Sequence, residues 1–352
     1  MNWNRRDFGK LALAAAAAPV GTLMAAKPNS NFGGVQIGTI TYSYRGEGPA
    51  ANDAQALLKM IVDSGISSVE LMPPAAENFA GSPAAQMQAG PGGGPGGPGG
   101  GRGGSGGRGG GGGRGGSGGR GGGGGRAQMT PEQQAAAQAA AETLKKWRLS
   151  ASLDKFKEFR KMYNDAGVSI YCHKLFPTAN MSDDEFDYMF TVAKTLGASQ
   201  VSLELSNDLA YTKRMGDFAL KHGMVAAYHA HEQATITAWD AVLDQSKGNA
   251  INLDCGHYYA GTGLSPVPVI EKLHDRIASL HLKDRTPSVP GTPGANLPWG
   301  TGSTPIAEIL NVMKKNKYKF PASVELEYQV PEASNAVIEV KKCVEYCRKI
   351  LG

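Results

Sequence analysis

Ile-Asn-Leu-Asp-Cys-Gly-His, residues 251–257, is followed further along the chain by Ile-Ala-Ser-Leu-His-Leu-Lys-Asp, residues 277–284. Each stretch is a short apolar run that ends in carboxylate or imidazole side chains. Residues 266–275, which lie between them, have helical spacing. A strand, a helix and a second strand in this order form a βαβ unit, so the two strands are expected to lie parallel in one sheet.

The same alternation covers the chain from residue 36 onward. Eight short β-branched or apolar runs predict strands at residues 36–42, 67–72, 168–173, 200–205, 224–229, 250–254, 277–282 and 322–327. Helices are predicted at residues 50–64, 131–166, 183–196, 208–222, 234–245, 266–275, 303–315 and 332–351. Eight such units predict an α/β fold of the (β/α)8 TIM barrel class over residues 27–352, with a doubly wound open sheet as the alternative.

The first 26 residues have the features of an export signal. Arg5 and Arg6 are followed by Phe8 and Lys10, then by a weakly apolar, alanine-rich run, with small residues at positions 25–26. This pattern is typical of a twin-arginine signal peptide, although an amphipathic N-terminal helix is the alternative. We therefore expect the twin-arginine export machinery as a partner and a periplasmic or extracellular location, without stable membrane insertion of the mature chain.

A glycine-rich tract interrupts the predicted barrel after its second strand. Residues 90–126 contain 27 of the 49 glycines and five arginines, with no acidic residue. A segment of this composition cannot bury apolar surface, so residues 88–128 are predicted to be a disordered insertion in a loop on the active-site face. Without the leader and the tract, 28 basic residues stand against 30 acidic ones, which argues against a nucleic-acid-binding body.

Carboxylate and imidazole side chains stand at the ends of seven of the eight predicted strands: Glu70, His173, Glu204, His229, His231, Glu232, Asp254, His257, His281 and Glu325. The carboxyl ends of barrel strands share one face, so these side chains converge. A divalent cation would compensate such a cluster, and mixed His and Asp/Glu ligation suits Mn²⁺, Zn²⁺, Fe²⁺ or Co²⁺ better than Ca²⁺. Taken singly, Glu70 or His173 is equally well explained as a hydrogen-bonded structural group.

Four motifs occur in a characteristic order: Leu-Asp-Cys-Gly-His-Tyr-Tyr-Ala-Gly (253–261), His-Leu-Lys-Asp (281–284), Leu-Pro-Trp-Gly-Thr-Gly (297–302) and Ser-Val-Glu-Leu-Glu (323–327). Together they resemble the xylose isomerase-like barrel superfamily, from about residue 35 to the C-terminus apart from the glycine tract. That superfamily includes sugar phosphate isomerases/epimerases, ketose 3-epimerases, inosose dehydratases and endonuclease IV. The Asp-x-x-His element is the most specific of the four motifs.

The resemblance implies a metal site formed by a strand-five residue with Asp254, His281 and Glu325. Where the epimerases carry a strand-five glutamate, this chain has His229, in a Tyr-His-x-His run that resembles the inosose dehydratase-like branches. His231 faces the same side of the strand by alternation, so either histidine is a candidate ligand. That glutamate is also one of the two epimerase acid/bases, so its replacement argues against epimerisation by two glutamates.

The chemistry implied is proton abstraction next to a carbonyl, through an enediolate, by a metal-dependent sugar isomerase or epimerase. Glu325 is the expected base, and Glu204, His231 or Glu232 the second acid/base. His257 would hydrogen-bond a substrate oxygen and Lys283 would polarise a hydroxyl or carbonyl. The remaining predicted substrate-binding residues are Glu70, His173 and Trp299. Because phosphorylated sugars are scarce outside the cytoplasm, the expected substrate is an unphosphorylated sugar or cyclitol.

Three other functions remain open. A dehydratase or lyase acting on keto-sugars or 3-keto-glycosides would use the same proton abstraction with loss of a leaving group. A non-catalytic sugar-binding barrel would keep the site without turnover. A phosphodiesterase like endonuclease IV would need an additional Asp-x-His pair after strand seven, and residues 284–302 contain none.

Overall fold

The computed structural model describes residues 27–84 and 130–352. The predicted signal peptide (1–26) and the predicted disordered insertion (88–128) therefore lie outside the described residues. Within residues 27–84 and 130–352, no helix has the length and hydrophobicity needed to cross a membrane.

Eight parallel strands of the described chain close into a barrel, as the sequence predicts. In order around the barrel they are β2 (Val35–Ile40), β3 (Ser68–Leu71), β4 (Ser169–Lys174), β5 (Gln200–Glu204), β6 (Val225–His229), β7 (Asn249–Asp254), β8 (Ile277–Leu282) and β11 (Ala322–Val324). β2 pairs with both β3 and β11, which closes the sheet. The TIM barrel is thus confirmed, and the open doubly wound sheet is excluded.

Short strands lie outside the barrel. β1 (Asn31–Phe32) pairs antiparallel with the start of β2. β9 (Asp284–Arg285) and β10 (Asn296–Leu297) form a small antiparallel ladder directly after β8. The β9–β10 ladder holds the chain that leaves β8, on the face where the strands end.

Helices connect the strands and cover the barrel. They are α1 (Ala54–Asp63), α2 (Pro73–Phe79), α3 (Pro131–Ser150), α4 (Asp154–Asp165), α5 (Asp183–Leu196), α6 (Leu209–His222), α7 (Asp240–Gln245), α8 (Cys255–Thr262), α9 (Val267–Leu273), α10 (Ile306–Asn316) and α11 (Ala336–Leu351). Two 3-10 segments, Thr41–Asn52 and His274–Arg276, complete the connections. α4 shows why these segments are helical: Phe156, Phe159 and Tyr163 recur at helical spacing and are all buried against the core.

The predicted helix 131–166 is wrong at its middle, where the chain breaks between α3 and α4. Ala151 adopts an extended conformation (φ −67°, ψ 131°). α3 has no buried residue, whereas α4 buries an aromatic face. One straight helix of that length would run about 54 Å and could not keep the aromatic face on the barrel. α3 is instead anchored near its end, where Arg148 donates two hydrogen bonds to Glu77, at 2.8 and 2.9 Å.

Other predicted boundaries are too long or miss short elements. The strands predicted at 36–42 and 322–327 end at Ile40 and Val324, because the chain leaves the sheet there. The helix predicted at 234–245 begins only at Asp240. α2 and α8 were not predicted, since each follows its strand at once without a polar turn.

The barrel interior beneath the mouth is polar. The fully buried Glu70 accepts hydrogen bonds from Ser202 Oγ at 2.5 Å and Asn252 Nδ2 at 3.2 Å, and lies 2.8 Å from His281 Nε2. Below it, the Tyr171 hydroxyl pairs with Ser323 Oγ at 2.6 Å. Most TIM barrels fill this space with branched apolar side chains. In this barrel the space instead holds a hydrogen-bonded polar layer around the Glu70 carboxylate, directly beneath the side chains at the strand ends.

Candidate metal and acid–base site

Four buried side chains converge at the ends of four adjacent strands. His229 ends β6, Asp254 ends β7, His281 lies in β8 and Glu325 directly follows β11. Each offers one potential ligand atom, and these atoms lie within 4.8 Å of one another. This four-residue cluster contains the residues that the resemblance implies as metal ligands.

A second group of three histidines overlaps the four-residue cluster. It contains His229, His231 and His257, again with potential ligand atoms within 4.8 Å of one another. The His231 ring lies 4.9 Å from that of His229 and 4.8 Å from that of His257, and its side chain is 52% exposed. Of the two histidines that the sequence offers as ligands at the end of β6, only His229 groups with Asp254. The geometry therefore favours His229 as the buried ligand and leaves His231 facing the opening.

Lys283 enters the same space from the end of β8. Its Nζ lies 2.8 Å from each of three carboxylates, those of Asp254, Glu325 and Glu327. Burial alone would lower the pKa of Lys283, but the three carboxylates outweigh it and raise the pKa above its usual value. The lysine therefore keeps its positive charge in the barrel mouth at neutral pH.

His281 and Glu325 form a charged pair above Glu70. His281 lies 2.8 Å from Glu70 through Nε2 and 2.9 Å from Glu325 through Nδ1. Burial opposes its charge, but the two carboxylates raise the pKa of His281 to about 10. Burial would raise the pKa of Glu325, yet Lys283 and His281 hold that pKa well below its usual range. Glu325 is consequently a carboxylate at neutral pH.

Asp254 serves two purposes with its two oxygens. Oδ1 accepts the backbone N–H of His257 at 2.7 Å and so caps α8. Oδ2 lies 2.8 Å from Lys283 Nζ but makes no hydrogen bond of regular geometry. Burial raises the pKa of Asp254 to about 6, against the lowering effect of Lys283 and with a further increase from Glu325.

The cluster fits a divalent metal ion. Buried polar atoms are normally hydrogen-bonded. Within the cluster, Asp254 Oδ2 and His229 Nδ1 are buried without a hydrogen-bond partner among the described residues. Two imidazoles and two carboxylates are also the donor types that Mn²⁺, Fe²⁺, Co²⁺ and Zn²⁺ accept. His229, Asp254, His281 and Glu325 are the residues that would hold such an ion, with His281 binding as the neutral imidazole after loss of its proton.

His257 is oriented by the buried Arg285, which also pairs with the partly exposed Glu232. Arg285 Nη1 donates to His257 Nδ1 at 2.5 Å, and Arg285 Nη2 donates to Glu232 Oε1 at 2.6 Å. Burial, followed by the charge of Lys283, lowers the pKa of His257, so the ring is neutral. Because Nδ1 accepts, the ring proton lies on Nε2, which is 3.8 Å from Glu327 and 4.0 Å from Asp254. His257 thus presents an N–H donor to the cluster.

Three other predicted residues have local partners. Glu204 accepts from Lys174 Nζ at 2.7 Å and lies 3.5 Å from His231 Nδ1, which places it at the opening. His173 Nδ1 lies 3.0 Å from the Leu71 carbonyl, and burial lowers its pKa to about 4. Trp299 packs edge-on against Tyr346 of α11, with ring centroids 5.9 Å apart. Within the described ranges, His173 and Trp299 make no hydrogen bond, ion pair or ring contact with the four-residue cluster.

Asp284 is a residue whose role the sequence analysis missed. Its carboxylate accepts backbone N–H groups from Gly300, Gly302 and Thr304 at 2.8, 2.9 and 3.1 Å. A side chain at Gly302 would collide with Asp284 Oδ1. The signal was present in the sequence, as an aspartate after β8 followed by a glycine-rich loop, because such loops offer convergent N–H groups to an anion.

We predict that Asp284→Ala destabilises the protein by about 1–3 kcal/mol, because three backbone N–H groups lose their acceptor. Urea unfolding followed by circular dichroism measures the change, and limited proteolysis should show new cleavage between residues 285 and 303. Asp275→Ala is the matched control, since its side chain is 86% exposed. Equal stability of the two variants would contradict the anchoring role.

Comparison with solved structures finds this fold at low sequence identity. A sugar phosphate isomerase/epimerase from Parabacteroides distasonis ATCC 8503 has a TM-score of 0.53 and 16% identity, covering 89% of this chain and 95% of that one. A probable 3-DHS dehydratase from Bacillus anthracis has a TM-score of 0.53 and 13% identity, covering 87% of this chain and 97% of that one. A D-allulose 3-epimerase from Methylomonas sp. has a TM-score of 0.51 and 14% identity, covering 90% of this chain and 98% of that one.

These structural relatives establish a common fold and leave the reaction open. Comparison with curated protein sequences gives no significant match. The sequence profile of one family, described as Xylose isomerase-like TIM barrel, matches residues 133–345, which is more than half of the chain. That span includes six of the eight barrel strands, all except β2 and β3, and all four residues of the cluster. The chain therefore belongs to the Xylose isomerase-like TIM barrel family.

Proposed function

We propose that this protein is a divalent-metal-dependent sugar isomerase or epimerase that removes a proton from the carbon next to a carbonyl. The observation that carries the proposal is the four-residue cluster of His229, Asp254, His281 and Glu325, which combines a metal-type donor set with an ionised base. The family's fold places such a cluster where barrel enzymes perform chemistry, at the carboxyl ends of the strands.

Glu325 is the proposed base. Its hydrogen bond to His281 and its ion pair with Lys283 are both made by Oε2, at 2.9 and 2.8 Å. These two contacts fix the carboxylate plane and leave Oε1 to take the proton. A metal ion held by the cluster would polarise the substrate carbonyl and so acidify the neighbouring C–H bond.

The second acid/base is proposed to be His231 together with Glu204. Glu204 Oε2 lies 3.5 Å from His231 Nδ1, and both side chains are about half exposed, so they can exchange protons with solvent. Glu232, the other candidate, is held by Arg285 at 2.6 Å and by Ser288 at 2.7 Å. His257, whose Nε2–H points into the cluster, is suited to donate a hydrogen bond to a substrate oxygen.

A lyase or dehydratase is the second candidate function. At the end of β6, the fifth strand of the barrel, this chain has His229 where the epimerases carry a glutamate, and His229 is buried and belongs to the four-residue cluster. A site with one carboxylate base and an exposed histidine is suited to expel a leaving group, because the histidine can protonate it. A structure of the same fold from Bacillus anthracis is described as a probable 3-DHS dehydratase, which supports this candidate.

The substrate class follows from two separate considerations. A D-allulose 3-epimerase of the same fold has been solved in complex with D-allulose, which supports a sugar as the ligand. The predicted export signal around Arg5 and Arg6 supports an unphosphorylated sugar or cyclitol, because sugar phosphates are scarce outside the cytoplasm.

We predict that Glu325→Gln lowers turnover by about 10²–10⁴-fold, because the amide cannot accept the proton. The assay is ¹H NMR of Mn²⁺-loaded protein with unphosphorylated sugars, cyclitols and 3-keto-glycosides in D₂O. Exchange of the substrate C–H with epimer or isomer formation supports the first function, and release of water or an aglycone supports the second. Glu308→Gln, at an exposed position of α10, is the control and should keep full activity.

Two results would contradict the proposal. Full activity of Glu325→Gln would remove this residue from the role of base. Absence of solvent deuterium from every substrate, with tight sugar binding retained, would indicate a non-catalytic sugar-binding barrel.

We also propose export through the twin-arginine route, and predict that replacing Arg5 and Arg6 together by lysine keeps the protein in the cytoplasm. The arginine pair is read by a receptor, so preserving the charge is not enough to keep the signal. Fractionation of the expressing cells, with immunodetection of precursor and mature forms, measures the outcome. Recovery of the unaltered protein in the cytoplasmic fraction alone would contradict the proposal.

A further inference from the structure

We propose that Lys283 is an internal counter-cation: it neutralises the cluster in the metal-free protein and withdraws toward Glu327 when a divalent metal binds. This inference rests on the proposed metal site. It assigns to Lys283 control of metal affinity, rather than the polarisation of substrate expected from the sequence.

The ammonium group and the metal would compete for the same atoms. Asp254 Oδ2 is 3.8 Å from His229 Nε2, and Glu325 Oε2 is 2.9 Å from His281 Nδ1, so these two oxygens face the imidazoles of the cluster. The same two oxygens each lie 2.8 Å from Lys283 Nζ. An ammonium group between them occupies the position from which both carboxylates would bind an ion.

The third carboxylate offers Lys283 a place to withdraw to. Lys283 Nζ also lies 2.8 Å from Glu327 Oε2, and the Glu327 side chain is 21% exposed, against 8% for Glu325 and none for Asp254. Two cations that share carboxylates in a buried site repel strongly. A small rotation of the lysine stem would keep the Glu327 contact and release the two inner oxygens.

The path of the lysine stem is built into the neighbouring helix. Gly256 lies in the first turn of α8, and a Cβ at that position would collide with Lys283 Cγ. The absence of a side chain at residue 256 therefore leaves room for the lysine stem to pass and reach the cluster. The glycine of the Asp-Cys-Gly-His motif thus has a stereochemical function that serves Lys283.

The experiment is calorimetric titration of metal-stripped protein with Mn²⁺, together with thermal unfolding with and without the ion. The variants are Lys283→Met, which keeps the length of the stem, and the double variant Lys283→Met/Glu327→Gln, which removes one charge of each sign. The double variant retains the net charge of the mouth and guards against loss of folding. Lys272→Met, at an exposed position of α9, is the control.

Removal of the competing cation should tighten Mn²⁺ binding by about tenfold or more, because the binding-competent state no longer requires the lysine to leave. The metal-free Lys283→Met protein should also melt at a lower temperature than the unaltered protein, and Mn²⁺ should restore more of its stability. Lys272→Met should change neither quantity.

The outcomes separate this inference from the proposed function. Mn²⁺ binding by the variants but not by the unaltered protein would support the counter-cation and contradict metal-dependent turnover. Unchanged Mn²⁺ affinity in both variants would overturn the inference, and lost turnover at unchanged affinity would instead assign Lys283 to the substrate. Absence of Mn²⁺ binding in every protein would overturn both.

Discussion

The meeting of one ammonium group with three carboxylates at the barrel mouth is the contact on which the rest of the site depends. Lys283 lies 2.8 Å from Asp254, Glu325 and Glu327. Burying an unpaired carboxylate costs several kcal/mol, so these acids can share the strand ends only if a cation stands among them. The protonated His281 adds a second positive charge between Glu325 and Glu70. Through His281 and Lys283, the carboxylates at the mouth and the Glu70 carboxylate beneath it share one connected network of opposite charges.

Local structure around the mouth follows from holding that balance in place. Asp254 caps α8 with one oxygen and faces the cluster with the other, which ties the position of its charge to a helix start. Asp284 holds the glycine-rich loop by three backbone N–H groups, and Arg285 fixes the ring of His257. Three consecutive residues after β8 thus serve three tasks: Lys283 neutralises, Asp284 anchors and Arg285 orients.

The sequence was sufficient for the parts of the structure that follow from periodicity. Alternation of apolar runs and helical segments predicts the eight-stranded barrel, because each strand–helix–strand unit places its two strands parallel in one sheet. The order of strands also brings Asp254, His281 and Glu325 to one rim before any contact is known. The break between α3 and α4 was missed, since alanine-rich sequence favours a continuous helix and only barrel packing interrupts it.

Contacts between strands that are distant in the sequence could not be predicted in this way. The sequence places His229 and His231 on the same side of β6, and only tertiary packing shows that His229 groups with Asp254 while His231 faces the opening. The Lys283 contacts and the pairing of Arg285 with His257 likewise join separate elements, so no local pattern indicates them. The positive charge of the Gly/Arg tract is visible in the sequence alone. The structure neither adds to this observation nor tests it, because the tract lies outside the described residues.

The most direct test of the account is anomalous diffraction from crystals grown or soaked with millimolar Mn²⁺. We expect one strong anomalous peak within bonding distance of His229, Asp254, His281 and Glu325, with Lys283 turned toward Glu327. A peak centred instead on His229, His231 and His257 would contradict the assignment of the ligands. A mouth without any peak, with Lys283 still between Asp254 and Glu325, would contradict the metal site itself.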